Sequence, residues 1–101
     1  MRYEIFQTRN NVPPMTELDE WHPENQRFYV STYSGVVYGS GVPDMLDELF
    51  VTFNHEAPAD FHSYAISVGD VIVFERGSAW FLDWCDGWTQ LGDSWNYATV
   101  H

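Results

Sequence analysis

The sequence contains no lysine and only four arginines, against fifteen aspartates and glutamates. Its formal net charge at pH 7 is −11. Proteins bind the phosphate backbone of nucleic acids through cationic side chains that displace counterions, so this composition argues against direct nucleic-acid binding. It argues equally against attraction to an anionic membrane surface. The charge instead favours a basic protein partner, or serves only to keep an aromatic-rich protein in solution.

Cysteine and long apolar runs are also scarce. Cys85 is the only cysteine, which excludes an intramolecular disulfide and a metal site built from several cysteines. The longest apolar run, from Val71 to Phe74, is far too short to span a membrane. Residues 1–7 lack the apolar core of a secretory signal peptide. We therefore expect a cytoplasmic protein whose thiol is packed rather than nucleophilic.

Apolar side chains are nevertheless plentiful, since 45% of the residues are hydrophobic and 18% are aromatic. In a chain of 101 residues this composition supports one hydrophobic core but not two. No internal repeat, low-complexity tract or linker divides the chain. We expect a single domain over residues 1–101 and no cofactor.

One segment has the spacing of an amphipathic helix. Its apolar side chains recur at positions i, i+3, i+4 and i+7, which lie on one helical face: Leu46, Leu49, Phe50 and Phe53. Pro43 suits the first turn of a helix, and Pro58 prevents its continuation. The pattern predicts a helix over residues 43–54, with all four apolar side chains buried.

Six segments have the aromatic and β-branched composition of strands: residues 2–7, 28–33, 35–39, 71–75, 79–84 and 88–91. The segment Thr16 to Asn25 is predicted to be a helical turn or a loop that ends at Pro23. Before the strand at 71–75, we expect Gly69 to adopt a positive φ and Asp70 to hydrogen-bond the local backbone. The predicted fold class is α+β, with one main amphipathic helix packed on a mostly antiparallel sheet of four to six strands.

The order of these segments resembles the YodL-like domain family. The resemblance covers about residues 28–91 and is carried by Val36-Val37-Tyr38-Gly39, the helix ending in Phe53-Asn54, Ala57-Pro58-Ala59-Asp60-Phe61, Ser67-Val68-Gly69-Asp70-Val71-Ile72, Trp80-Phe81-Leu82-Asp83 and Asp86-Gly87-Trp88. It implies a protein of a conjugative element, plasmid or phage, and it brings no catalytic residues with it. The family pattern has an Arg-Ser pair before the Ser-Val-x-Asp step, where this chain has Tyr64-Ala65-Ile66.

Side chains that could carry chemistry are present, but not in patterns that specify a reaction. The histidines lack the helical i, i+4 pairing of a zinc site: His22, His55, His62 and His101. Asp83 and Asp86 resemble an acid/base pair only in sequence, and they are better interpreted as a strand end and a turn. Three tryptophans near them, Trp80, Trp84 and Trp88, are expected to be core residues. We expect no enzymatic activity.

The charge therefore provides the leading functional hypothesis. We expect an interaction protein of a phage or other mobile element that binds a basic protein surface, including the nucleic-acid-binding groove of a host defence or regulatory complex, by mimicking spaced phosphates. The candidate contact residues are the acids expected to stay solvated: Glu17, Asp19, Glu20, Glu24, Asp44, Asp47 and Glu48. The alternative is an accessory mobile-element domain that binds a small ligand or peptide in an aromatic pocket near Trp80, Trp84 and Trp88.

Overall fold

The computed structural model describes residues 1–8, 21–75, 77–83 and 87–97. These residues form a five-stranded antiparallel sheet and one α-helix, which confirms the predicted α+β class. The elements are β1 (Arg2–Thr8), β2 (Tyr29–Val36), α1 (Val42–His55), β3 (Val71–Phe74), β4 (Ser78–Asp83) and β5 (Gly87–Gln90), with short 3-10 helices at Pro23–Phe28 and Gly92–Ser94. Strands pair in the order β2-β1-β3-β4-β5.

The last three predicted strands are present as β3, β4 and β5, which follow one another and pair as neighbours in a β-meander. The N-terminal strand β1 lies between β2 and β3. It is thus paired on both sides, and Ile5 in its middle is fully buried. Of the segments predicted as two strands, 28–33 and 35–39, residues 29–33 and 35–36 lie in the single strand β2, and residues 37–39 lie beyond its end. Pro23 begins a 3-10 helix, because its fixed φ and missing N–H are tolerated in a first turn. Of the segment predicted before it as a helical turn or a loop, residues 16–20 lie outside the described residues.

Helix α1 packs on one side of the sheet. Ile72 and Phe74 of β3 face it, and Val71 and Val73 face the other side, because successive side chains of a strand alternate. The core on this side combines helix, strand and loop residues: Tyr3, Ile5, Val37, Met45, Leu46, Leu49, Phe53, Ile66, Ile72 and Phe74.

The prediction that Phe50 is buried is wrong. Its side chain is 39% exposed, whereas Met45, which was not predicted, is 4% exposed. Consecutive helical residues differ by about 100° around the axis. The arc centred on Met45, Leu46 and Leu49 faces the sheet, so Phe50 lies at the edge of that arc. The i, i+4 spacing alone does not distinguish the centre of an apolar face from its edge.

A second apolar cluster covers the opposite side of the sheet. Its buried members come from four strands and from the C-terminal segment: Phe6, Tyr29, Val71, Val73, Ala79, Phe81, Leu91 and Trp95. Trp21 lies over this cluster, with ring-centroid distances of 5.6 Å to both Phe81 and Trp95. Strand β3 is therefore buried on both sides, by α1 on one and by aromatic side chains outside the helix on the other.

Candidate functional site

The outward side of α1 carries the predicted acidic cluster. Asp44, Asp47 and Glu48 are all exposed, and Val51 and His55 lie on the same side of the helix at helical spacing. The Asp44 carboxylate also accepts a hydrogen bond from the backbone N–H of Ser40 at 3.2 Å. An acid in the first turn is stabilised by the positive end of the helix dipole. Asp44 thus contributes to the start of α1 as well as to its surface charge.

Apolar side chains border these acids. The Val51 side chain is 54% exposed and lies one turn after Asp47 and Glu48. The Phe50 side chain lies beside these acids and is 39% exposed. We call the surface formed by Asp44, Asp47, Glu48, Phe50 and Val51 the α1 stripe. The helix thus combines carboxylates, which can steer a charged partner, with apolar side chains, which the partner can bury.

Of the other four predicted contact residues, Glu24 is the one that the structure describes, and it does not join the α1 stripe. Glu24 is exposed in the first turn of the Pro23–Phe28 helix, with its carboxylate 4.0 Å from Nδ1 of His22. That helix lies beside Tyr29 and Trp95, on the side of the sheet opposite α1. Glu17, Asp19 and Glu20 lie outside the described residues. Of the four predicted acids that the structure describes, three therefore lie together on α1.

The Ser67–Asp70 turn has the predicted structural form. Gly69 has a φ of 97°, and the Asp70 carboxylate accepts a hydrogen bond from the backbone N–H of Ser67 at 2.9 Å. The N–H of Gly69 donates to the carbonyl of Leu82 at 2.9 Å. These bonds fix the chain as it enters β3.

A buried polar network extends from this turn, and sequence analysis did not identify it. Nε2 of Gln7 donates to the Asp70 carboxylate at 2.9 Å and to the carbonyl of Tyr64 at 3.0 Å. Oγ1 of Thr32 donates to Oε1 of Gln7 at 2.8 Å. Burial raises the pKa of Asp70 from 3.8 to about 7, against the opposing effect of the hydrogen bonds from Gln7 and Ser67. The only signal in the sequence was a polar Gln7 at a strand position that the alternation assigns to the core.

A comparison of the chain with protein-family models gives a match. The family model of the YodL-like domain matches residues 2–92. The chain belongs to the YodL-like domain family. The match includes β1, which the resemblance over residues 28–91 did not cover, and every other strand of the sheet. Neither a curated protein nor a solved structure matches the chain.

In this YodL-like domain, two of the three tryptophans proposed to line a pocket pack against the hydrophobic core. Trp80 and Trp88 pack against the α1-side cluster together with Leu82. Trp84 lies outside the described residues. A surface groove of about 620 Å³ is lined mainly by β1, β2 and β3, and another of about 460 Å³ lies beside Trp95. Neither groove is lined by Trp80 or Trp88.

The remaining chemical candidates are dispersed. Among the residues that the structure describes, no three His, Cys, Asp or Glu side chains are placed to share a metal ion. Cys85, Asp86 and His101 lie outside those residues. Within the same part of the chain, no helix is both long and apolar enough to cross a membrane.

Gly69 provides a test of the turn that orients β3 in the YodL-like domain. Gly69→Ala should lower the free energy of unfolding by about 1–2 kcal/mol, because an L side chain is strained at this positive φ. Gly69→Asn should cost less, since asparagine tolerates positive φ better than alanine does. Urea denaturation of the three proteins measures the difference. An alanine variant as stable as the wild type would show that the turn does not require glycine.

Proposed function

We propose that this YodL-like domain is a non-enzymatic interaction protein of a phage or other mobile element, and that its α1 stripe binds a basic protein surface. The observation that carries the proposal is the grouping of Asp44, Asp47 and Glu48 on one exposed side of α1, beside exposed Phe50 and Val51. None of the three carboxylates forms an ion pair within the described part of the chain. They are available to a partner's cations.

The charge of the whole chain supports the same class of partner. Eight acidic residues of the described ranges are exposed: Glu24, Asp44, Asp47, Glu48, Glu56, Asp60, Glu75 and Asp93. The only Lys or Arg side chains in the described ranges are Arg2 and Arg27. The Arg27 guanidinium lies 4.8 Å from the ring centroid of Phe28. A net charge of −11 accelerates encounter with a cationic surface and disfavours acidic partners.

A basic surface that binds nucleic acid is one such partner. Spaced carboxylates on a rigid helix present negative charge to the cationic side chains that would otherwise contact phosphates. A domain of this kind would occupy the groove and exclude the nucleic acid. We propose inhibition of a host defence or regulatory complex by this route as the biological role.

The α1 stripe is tested by removing its charge and keeping its shape. The triple variant Asp44→Asn, Asp47→Asn, Glu48→Gln should remain folded, since exposed charges contribute little to stability. Its association with a partner captured from host lysate and then purified should be slower by about tenfold or more at low salt. Wild-type association should slow towards the variant's rate as salt rises, because the charges are screened. Surface plasmon resonance at several salt concentrations measures both effects.

A matched control separates the location of the charge from its amount. The variant Glu56→Gln, Asp60→Asn, Asp93→Asn removes the same number of exposed carboxylates from other positions. It should retain most of the wild-type association rate. Equal rates for wild type and both variants would contradict the proposal. A partner that binds DNA and this domain at the same time would contradict mimicry while leaving the α1 stripe intact.

A further inference from the structure

The outer edge of β2 contains a short stretch with outward-facing backbone groups. The N–H of Val37 donates to the carbonyl of Met1 at 2.9 Å, and the N-terminal amine of Met1 donates back to the carbonyl of Val37 at 2.8 Å. Hydrogen-bonded pairs alternate with non-hydrogen-bonded pairs along an antiparallel ladder. Gly35 and Tyr33 therefore direct their backbone groups towards β1, whereas Ser34 and Val36 direct theirs away from it.

The pairing of β1 with β3 agrees with this assignment. The backbone N–H of Glu75 donates to the carbonyl of Arg2 at 3.0 Å, so Arg2 directs its carbonyl to β3 and not to β2. Among the described residues, no strand pairs with the other edge of β2. Within the described part of the chain, the stretch Ser34–Val36 is thus a sheet edge whose outward N–H and C=O groups pair with no strand.

This edge lacks the usual protection against strand pairing. Proteins guard exposed edges with charged side chains, proline or bulges. Strand β2 contains no charged residue and no proline, although the chain carries a net charge of −11. Its register shift opposite Ile5 and Phe6 disturbs only the other half of the strand. Beside the regular half, Val36 is 51% exposed and Tyr38 is 83% exposed.

Acidic side chains lie one strand inward from this edge. Ser34 is paired with Glu4, and both side chains project to the side opposite α1, into the groove of about 620 Å³. Glu75 lines the same groove. Neighbouring strands are about 4.8 Å apart, so a lysine or arginine on an added strand beside Ser34 reaches across that small residue to the Glu4 carboxylate. Beside Val36, the inward neighbour is Arg2, which disfavours a second cation there.

We propose that the β2 edge at Ser34–Val36 binds an extended basic segment of a partner protein by β-strand addition. Backbone hydrogen bonds to Ser34 and Val36 hold the segment in place. The alternate side chains of the segment, which face the groove, give the binding its specificity. A lysine or arginine is placed beside Ser34, with an apolar residue two positions along, beside Val36. The inference shares with the proposed function only the class of partner, and it uses a surface that is separate from the α1 stripe.

A designed peptide tests the edge directly. The probe alternates lysine and valine on one face of a strand and has threonine at the intervening positions; a matched peptide has glutamate in place of lysine. We expect the lysine peptide to shift the amide signals of Ser34 and Val36 in two-dimensional NMR spectra. The glutamate peptide should leave them unchanged. N-methylation of alternate residues removes backbone N–H donors that strand addition requires. If it does not lower the affinity of the lysine peptide, the proposal is overturned.

Variants separate the backbone contribution from the charge. Ser34→Pro removes an outward N–H without removing a β1–β2 hydrogen bond, and it should weaken the lysine peptide by about tenfold. Glu4→Gln should lower the affinity for the lysine peptide and leave the affinity for a neutral valine–threonine peptide unchanged. If Ser34→Pro does not fold, Glu4→Gln and the N-methylated peptide still decide the outcome. Unchanged affinity in a folded Ser34→Pro variant would refute strand addition.

Two further outcomes distinguish this inference from its alternatives. The triple α1 variant should bind the lysine peptide with nearly the wild-type affinity, so that loss of a natural partner through α1 and loss of the peptide through β2 are separable. Sedimentation of the free protein should show a monomer, because two copies with a charge of −11 repel each other. A dimer that Ser34→Pro converts to a monomer would overturn the proposal in favour of a second copy at this edge.

Discussion

Replacing Phe53 by alanine should lower the free energy of unfolding by about 3–5 kcal/mol. The Phe53 side chain is 3% exposed and lies at the centre of an aromatic group that joins helix, sheet and loop. Its ring centroid is 4.7 Å from that of Phe61 and 5.4 Å from that of Tyr33. The Tyr3 ring lies at 6.3 Å, in an edge-on arrangement. Removal of the Phe53 ring leaves a cavity that contacts all three neighbours.

Phe50 provides the matched control on the same helix. Phe50→Ala deletes the same atoms, but its side chain is 39% exposed, so we expect a loss of only about 1 kcal/mol. Urea denaturation of the wild type and both variants, with equal m-values, measures the difference. Equal losses for the two variants would show that α1 is rotated about its axis relative to the arrangement described above.

Replacing Asp70 by asparagine should remove a large part of the pH dependence of stability. Burial raises the pKa of Asp70 from 3.8 to about 7 in the folded protein. Between these two values the folded state holds a proton that the unfolded state has released. Stability from this group is therefore greatest at low pH, falls as the pH rises from about 4 to about 7, and then levels off. The full shift corresponds to at most about 4 kcal/mol.

The measurement is the free energy of unfolding of wild type and Asp70→Asn between pH 4 and pH 8. Asparagine is neutral throughout, and its side-chain oxygen still accepts from Gln7 and from the Ser67 N–H. The two proteins should have similar stability near pH 4, and the variant should be the more stable at pH 8. Asp47→Asn, at an exposed position, controls for the general effect of removing one negative charge. A variant with the slope of the wild type would show that Asp70 does not titrate in this range.

Local patterns were sufficient for much of the fold. The helix was predicted at residues 43–54 and is present at Val42–His55, because a proline start and a repeated apolar spacing are properties of adjacent residues. The turn at Gly69 and Asp70 was predicted for the same reason. Phe50 was assigned wrongly because burial depends on the direction in which the helix meets the sheet, which its own spacing does not specify.

The candidate surfaces depended on the sequence to different extents. The acids of the α1 stripe were predicted, since charged residues opposite an apolar helical face are solvated in almost any packing. The β2 edge was not, because the pairing of β1 between β2 and β3 decides which strand is left at the end of the sheet. The two groups that accept hydrogen bonds from Gln7 lie 57 and 63 residues away in the chain, beyond the reach of any local pattern.

The sequence by itself determined the family, the fold class, the net negative charge and the acidic outward side of α1. The family follows from the resemblance in the order of motifs along the chain, and the other three follow from composition or from the spacing of nearby residues. Only the tertiary structure decided that Asp70 is buried against Gln7, that Trp21 and Trp95 cover the second side of the sheet, and that Ser34 and Val36 direct their backbone groups away from β1. These features arise where distant segments meet, because burial and strand pairing depend on long-range contacts that local periodicity does not encode.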